Sequence, residues 1–135
     1  MTKEYKELLL KDICARLPYG VKASTKIGGN IKISFVGYDT IIGEDGDSYD
    51  ISFITPYLFP LSSMTEEQRN EFLSIQSEER KILFDALIKY RYGKEDKIPI
   101  IPTPKHIDWC YKNHLDIHGL IPEGLAIDAT GLNIY

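Results

Sequence analysis

The sequence predicts an α+β domain: an N-terminal helix on a curved antiparallel meander of three to four strands, followed by two to three helices. Three observations predict it. The first residues repeat apolar side chains at the helical period, the stretch after Pro18 and Gly20 switches to strict alternation around glycine turns, and a helix-capping pattern appears at Thr65. With 135 residues, 43% hydrophobic and 27% charged, one domain spanning the whole chain can bury its own core.

Between Thr2 and Leu17 the apolar positions Tyr5, Leu8, Leu9, Ile13 and Leu17 share one helical face, and Pro18 with Gly20 ends the pattern. Val21, Ala23, Thr25 and Ile27 then alternate with Lys22, Ser24 and Lys26. After the turn at "GGN", Ile31, Ile33 and Phe35 alternate with Lys32 and Ser34, which predicts a hairpin. Asp45 and Gly46 supply a second tight turn, and Tyr49, Ile51 and Phe53 read as the third strand. Gly37 and Gly43 predict a bulge or bend that curls the sheet into a half-barrel around the helix.

The stretch "TPYLFPLSSM" leaves that strand through prolines and is too apolar for a solvated loop, so it is expected to cover an edge of the core. Thr65 and Gln68 form a capping box, with Glu66 and Glu67 in the first turn of the helix that follows. Helical periodicity runs to about Tyr92 in two segments. "KEDKIPIIPTP" is an extended crossover, and Thr103 with Pro104 opens a further helix. The final "LAIDATGLNIY" alternates weakly and is expected to add a strand or lie along the sheet.

Composition narrows the function. A formal net charge of −4 gives little nonspecific attraction to phosphate. No apolar run approaches the roughly 20 residues of a membrane span, and the N-terminus lacks the pattern of a secretory signal. Cys14 and Cys110 form no CxxC pair and fit free thiols in a reducing, cytoplasmic setting, although spacing alone leaves a bridge between them open.

The segment "HIDWCYKNHLDIHGLIPEG" concentrates all three histidines, the single tryptophan and Cys110. His106, Cys110, His114 and His118 recur every four residues, a spacing by which two ligands one turn apart grip zinc. On a straight helix each such step drifts about 40°, so the first and last diverge by about 120° and cannot face one ion. A metal-dependent hydrolase would therefore rest on His106, Cys110 and His114 at most. Packing is the simpler reading, because Ile107, Cys110, Tyr111, His114 and Leu115 form an apolar stripe, with Gly119 as the expected left-handed stop. Trp109 falls opposite that stripe, where it either packs on a neighbour or meets a partner.

Other constellations are weaker. Asp39, Glu44, Asp45, Asp47 and Asp50 lack the spacing of a calcium loop and read as a solvated hairpin tip. Asp108, Asp116, Glu123 and Asp128 could supply paired acids only by chance proximity. The Arg80 to Lys97 face, with Lys89, Tyr90, Arg91, Tyr92 and Lys94, interleaves basic and aromatic residues as a single-stranded nucleic-acid site would.

Three stretches, "YKELLLKDICARLPYGV", "TPYLFPLSSMTEEQ" and "DWCYKNHLDIHGLIPEGLAIDA", resemble a family of small proteins carried by phages and integrated mobile elements of gut anaerobic bacteria. They cover well under half of the chain. The resemblance implies a phage-linked origin and carries no catalytic residue or cofactor with it. It matches His114 but not Cys110 or His118, which weighs against zinc. The expected function is a non-enzymatic interaction or regulatory module without a cofactor, binding a host or phage protein through Tyr57, Leu58, Phe59 and Trp109.

Overall fold

The computed structural model describes residues 2–74 and 104–135. Helix α1 spans Lys3–Arg16 and begins where Thr2 Oγ1 accepts a hydrogen bond from the Tyr5 amide at 3.2 Å. Glu4 in its first turn and Arg16 in its last complement the helix dipole. A 3-10 turn, Leu17–Tyr19, and Gly20 at φ 80° then redirect the chain into the sheet.

Strands β1 (Val21–Thr25), β2 (Asn30–Val36), β3 (Thr40–Gly43) and β4 (Ser48–Asp50) form the antiparallel meander. Gly28 and Gly29, at φ 88° and 107°, make the first turn, where side chains with a Cβ would be strained. A further 3-10 turn, Ile51–Phe53, leads into β5 (Ile54–Leu58), which pairs with β1. The sheet order is therefore β4-β3-β2-β1-β5-β6, the last strand being Ile127–Asp128 in parallel with β5. Because β5 follows β4 after one short turn yet pairs at the far side of the meander, the sheet has to curl into a half-barrel.

Four expectations are corrected. The sheet has six strands among the described residues rather than three to four, because β5 and β6 extend the meander beyond β1. The middle strand carries a bulge between Ile33 and Phe35, so the inward parity changes: Phe35 turns outward at 58% exposure, and Val36 packs on the core. The third strand stops at Asp50, whose carboxylate accepts from the Ser52 amide at 2.9 Å and hydroxyl at 2.7 Å and so starts the 3-10 turn. "TPYL" is not an edge cover but part of strand β5, paired on both sides, and Phe59 after it forms a single bridge with Leu115. Pro56 is tolerated there because it lies opposite Ala23. The Lys26 amide bonds Phe53 O at 3.0 Å, so alternation makes Ala23 and Pro56 a non-hydrogen-bonded pair whose missing N–H faces away from β1.

Helix α2, Glu66–Ser74, opens with the expected capping box: Gln68 N donates to Thr65 Oγ1 at 3.1 Å and Thr65 N to Gln68 Oε1 at 3.0 Å. Helix α3 is Pro104–Lys112. The expected helical segment beyond Ser74, the extended crossover and the Thr103 cap lie outside the described residues.

Among the described residues the apolar side chains gather in two clusters. One packs Leu9 and Ile13 of α1 on Val21, Ala23, Ile33, Ile41 and Ile54 of the sheet. The other joins Leu61, Met64 and Phe72 to Trp109, Cys110, Leu115 and Ile117. Among the described residues no helix is long and apolar enough to cross a membrane.

Candidate functional site

The histidine segment is built into the second cluster. His106 is 1% exposed and meets Phe72 edge-on, with ring centroids 4.6 Å apart. Trp109 lies 5.5 Å from the same Phe72 ring, and its Nε1 donates to Glu71 at 3.0 Å. Because α2 packs against this flank, the buried face of α3 is wider than the stripe read from the sequence, and Trp109 is inside it.

Helix α3 stops at Lys112, and the left-handed residue that closes it is His114 rather than Gly119. Leu115 N bonds Cys110 O at 2.9 Å and His114 N bonds Tyr111 O at 3.0 Å, the paired bonds of a Schellman ending, with His114 itself left-handed at φ 59°. The His114 ring thereby leaves the helix and stacks on Tyr135 at 3.6 Å and 11°. Burial, followed by the charges of Arg16 and Lys22, pulls its pKa down to about 4. Burial likewise pushes the Cys110 thiol up to about 12, so it stays protonated at neutral pH. The structure brings His106 and Cys110 into one packed cluster but turns His114 toward Tyr135. Among the described residues no group of three His, Cys, Asp or Glu side chains is arranged to hold a metal ion.

Behind this helix end lies a buried ion pair. Arg16 Nε and Nη2 bind the Asp12 carboxylate at 2.6 and 3.1 Å, with both side chains 0% exposed. Arg16 Nη2 also donates to Leu115 O at 2.6 Å, and the guanidinium sits 5.0 Å over the Tyr111 ring. His118 Nε2 lies 2.7 Å from Tyr111 Oη and 3.9 Å from Asp12 Oδ2. This arrangement locks α1 to the end of α3.

The dispersed acids have separate structural duties. Asp116 accepts from the Leu120 and Ile121 amides at 2.8 and 2.9 Å. Asp108 accepts from Tyr19 Oη at 2.6 Å and Glu123 from Tyr5 Oη at 2.8 Å. Each carboxylate raises the pKa of its phenol, chiefly through that hydrogen bond. Asp128 accepts from the Thr130 amide and hydroxyl. Each of these carboxylates therefore anchors a different contact.

The expected interaction residues do not form a surface. Tyr57, Leu58 and Trp109 are 8%, 0% and 7% exposed, and Phe59 is half-buried. Strand β5 carries Leu58 into the core, while Tyr57 is buried on the opposite face, its Oη donating to Oδ1 of the exposed Asn30 at 2.7 Å. Lys89, Tyr90, Arg91, Tyr92 and Lys94 lie outside the described residues.

Exposed apolar side chains occur elsewhere. Ile27 is 78% and Phe53 44% exposed, and they flank a groove with Asp47, Ser48, Tyr49 and Asp50 at the seam where the half-barrel stays open. The groove, about 350 Å³, is at the small end for a cofactor pocket and suits one or two side chains of a larger partner. Asp39, Glu44, Asp45, Asp47 and Asp50 are all exposed on the same hairpins. Tyr49 Oη donates to Asp45 Oδ2 at 3.3 Å, and partial desolvation with the Asp45 and Asp47 charges raises its pKa. Lys26 Nζ lies 5.7 Å over the Phe53 ring.

Sequence reading missed this groove because alternation assigned both Ile27 and Phe53 inward positions. The signal for Ile27 was its place directly before Gly28 and Gly29, inside the turn rather than the strand. The chain matches no protein-family model, curated protein or solved structure.

Proposed function

We propose that the protein is a non-enzymatic interaction module that binds a host or phage protein, with its contact surface at the open seam of the half-barrel. The observation that carries this reading is the pairing of exposed Ile27 and Phe53 across a groove bordered by an edge strand. The reactive-looking residues support it from the other side. His114, Cys110, Asp12, Arg16 and Asp116 are engaged in stacking, packing or internal hydrogen bonds. A phage-linked origin is part of the same proposal and rests on the sequence resemblance alone.

The test is affinity capture of tagged protein from phage-infected host extract, with and without nuclease, read by mass spectrometry. One protein should be enriched in both extracts and lost with Ile27→Asp or Phe53→Ala. Enrichment that vanishes with nuclease, or that ignores both substitutions, refutes the reading.

A further inference from the structure

We propose that the seam groove takes a basic, extended segment of a partner protein, added as a strand along β4 with an apolar side chain between Ile27 and Phe53. This rests on the interaction reading above and specifies its partner.

Backbone geometry supplies the first support. Strand β4 ends the sheet order, so one of its edges has no strand beside it among the described residues. Gly43 N bonds Asp47 O at 3.1 Å and Ile51 N bonds Asp39 O at 3.1 Å. The intervening register pairs Ile42 with Ser48, Ile41 with Tyr49 and Thr40 with Asp50. Alternation then makes Tyr49 the hydrogen-bonded partner of β3 and turns the amides and carbonyls of Ser48 and Asp50 to the free edge that lines the groove. An extended chain can pair with those groups while one of its side chains enters the space between the apolar walls.

Charge complementarity supplies the second. The hairpins beside the groove carry the exposed acids Asp39, Glu44, Asp45, Asp47 and Asp50. Lys32 pairs with Glu44 at 3.4 Å, with both side chains about half exposed, and Lys3 and Lys6 of α1 lie on the side of Asp39 and Asp50, so the acids that face the groove without a lysine of α1 beside them are Asp45 and Asp47. A segment bearing lysine or arginine next to its apolar anchor meets this field favourably, whereas an acidic one is repelled. Lys26 already occupies the face of Phe53, so the lysine or arginine of the segment has to lie toward Asp45 and Asp47 instead.

The test uses the full chain, labelled with ¹⁵N, and the peptide acetyl-KVKFKVK-amide as probe, against its acetyl-EVEFEVE-amide counterpart. The basic peptide should shift the amide signals of Ser48, Tyr49 and Asp50. The acidic one should bind at least about tenfold more weakly, and the basic peptide should lose about tenfold in affinity to Asp47→Lys and to Ile27→Ser. Both substitutions are at exposed positions, and an otherwise unchanged amide spectrum establishes that each variant is folded. Equal binding of the two peptides, or no shift along β4 at millimolar peptide, overturns the proposal. If the basic peptide fails while Ile27→Asp still abolishes capture from host extract, the partner chemistry is wrong and the interaction reading stands. If capture also ignores Ile27→Asp, both fall.

Discussion

Replacing Arg16 with methionine should be among the most damaging single changes in the described part of the chain. Methionine fills much of the same volume, so the effect isolates charge and hydrogen bonding rather than a cavity. The Asp12 carboxylate would lose two bonds at 2.6 and 3.1 Å while remaining 0% exposed, and the Leu115 carbonyl would lose its donor. A buried charge stripped of its partner costs about 3–5 kcal/mol. Against a total stability of about 5–15 kcal/mol, that is a large fraction. For a chain of 135 residues it corresponds to a fall in Tm of roughly 10–20 °C. Urea and thermal unfolding followed by circular dichroism and by the single tryptophan, Trp109, read the change directly. The double variant Asp12→Leu with Arg16→Met removes both charges and should recover to within about 2 kcal/mol of the parent, because the desolvation cost disappears along with the attraction. If Arg16→Met lies within about 1 kcal/mol of the parent, or the double variant is as unstable as the two singles added, the ion pair does not lock α1 to α3.

Two further outcomes follow from the perturbed groups. The His114 pKa drops from 6.5 to about 4 on folding, so between those values the unfolded chain binds more protons than the folded one. Stability should therefore fall as pH drops from 6.5 toward 4, by about 1–2 kcal/mol after allowance for solvent screening at a half-buried ring. His114→Asn, which keeps a residue tolerant of the left-handed conformation, should flatten the slope of stability against pH across that window; an unchanged slope would refute the assignment. Thiol labelling provides the other check. Cys14 is exposed and Cys110 buried with its thiol pushed up to about 12, so iodoacetamide at pH 8 should modify Cys14 alone in the folded protein and both residues in urea. Fast modification of Cys110 under native conditions would contradict its packing.

Local chemistry was legible in advance. The Thr65 and Gln68 capping box, the Gly28 and Gly29 turn and the Asp45 and Gly46 turn all act within a few residues, so the sequence is enough to locate them. The N-terminal helix was equally plain, because its period and its Pro18 stop are properties of a continuous segment. The candidate site was not. Alternation placed Phe35, Ile27 and Phe53 inward. One bulge, one turn and one Asp50-capped 3-10 turn reversed those assignments.

The sequence by itself determined the α+β class, the helix starts and the tight turns, because these depend on backbone preferences and hydrogen bonds between near neighbours. Tertiary structure alone decided that β5 joins β1, that Pro56 can occupy a paired strand, that Trp109 lies inside, and that Arg16 meets Leu115 across the molecule. Each of those outcomes joins residues far apart in the chain, and in each the curled sheet sets which side chain has a neighbour to bury it. The same curl leaves Ile27 and Phe53 facing an open seam beside the free edge of β4.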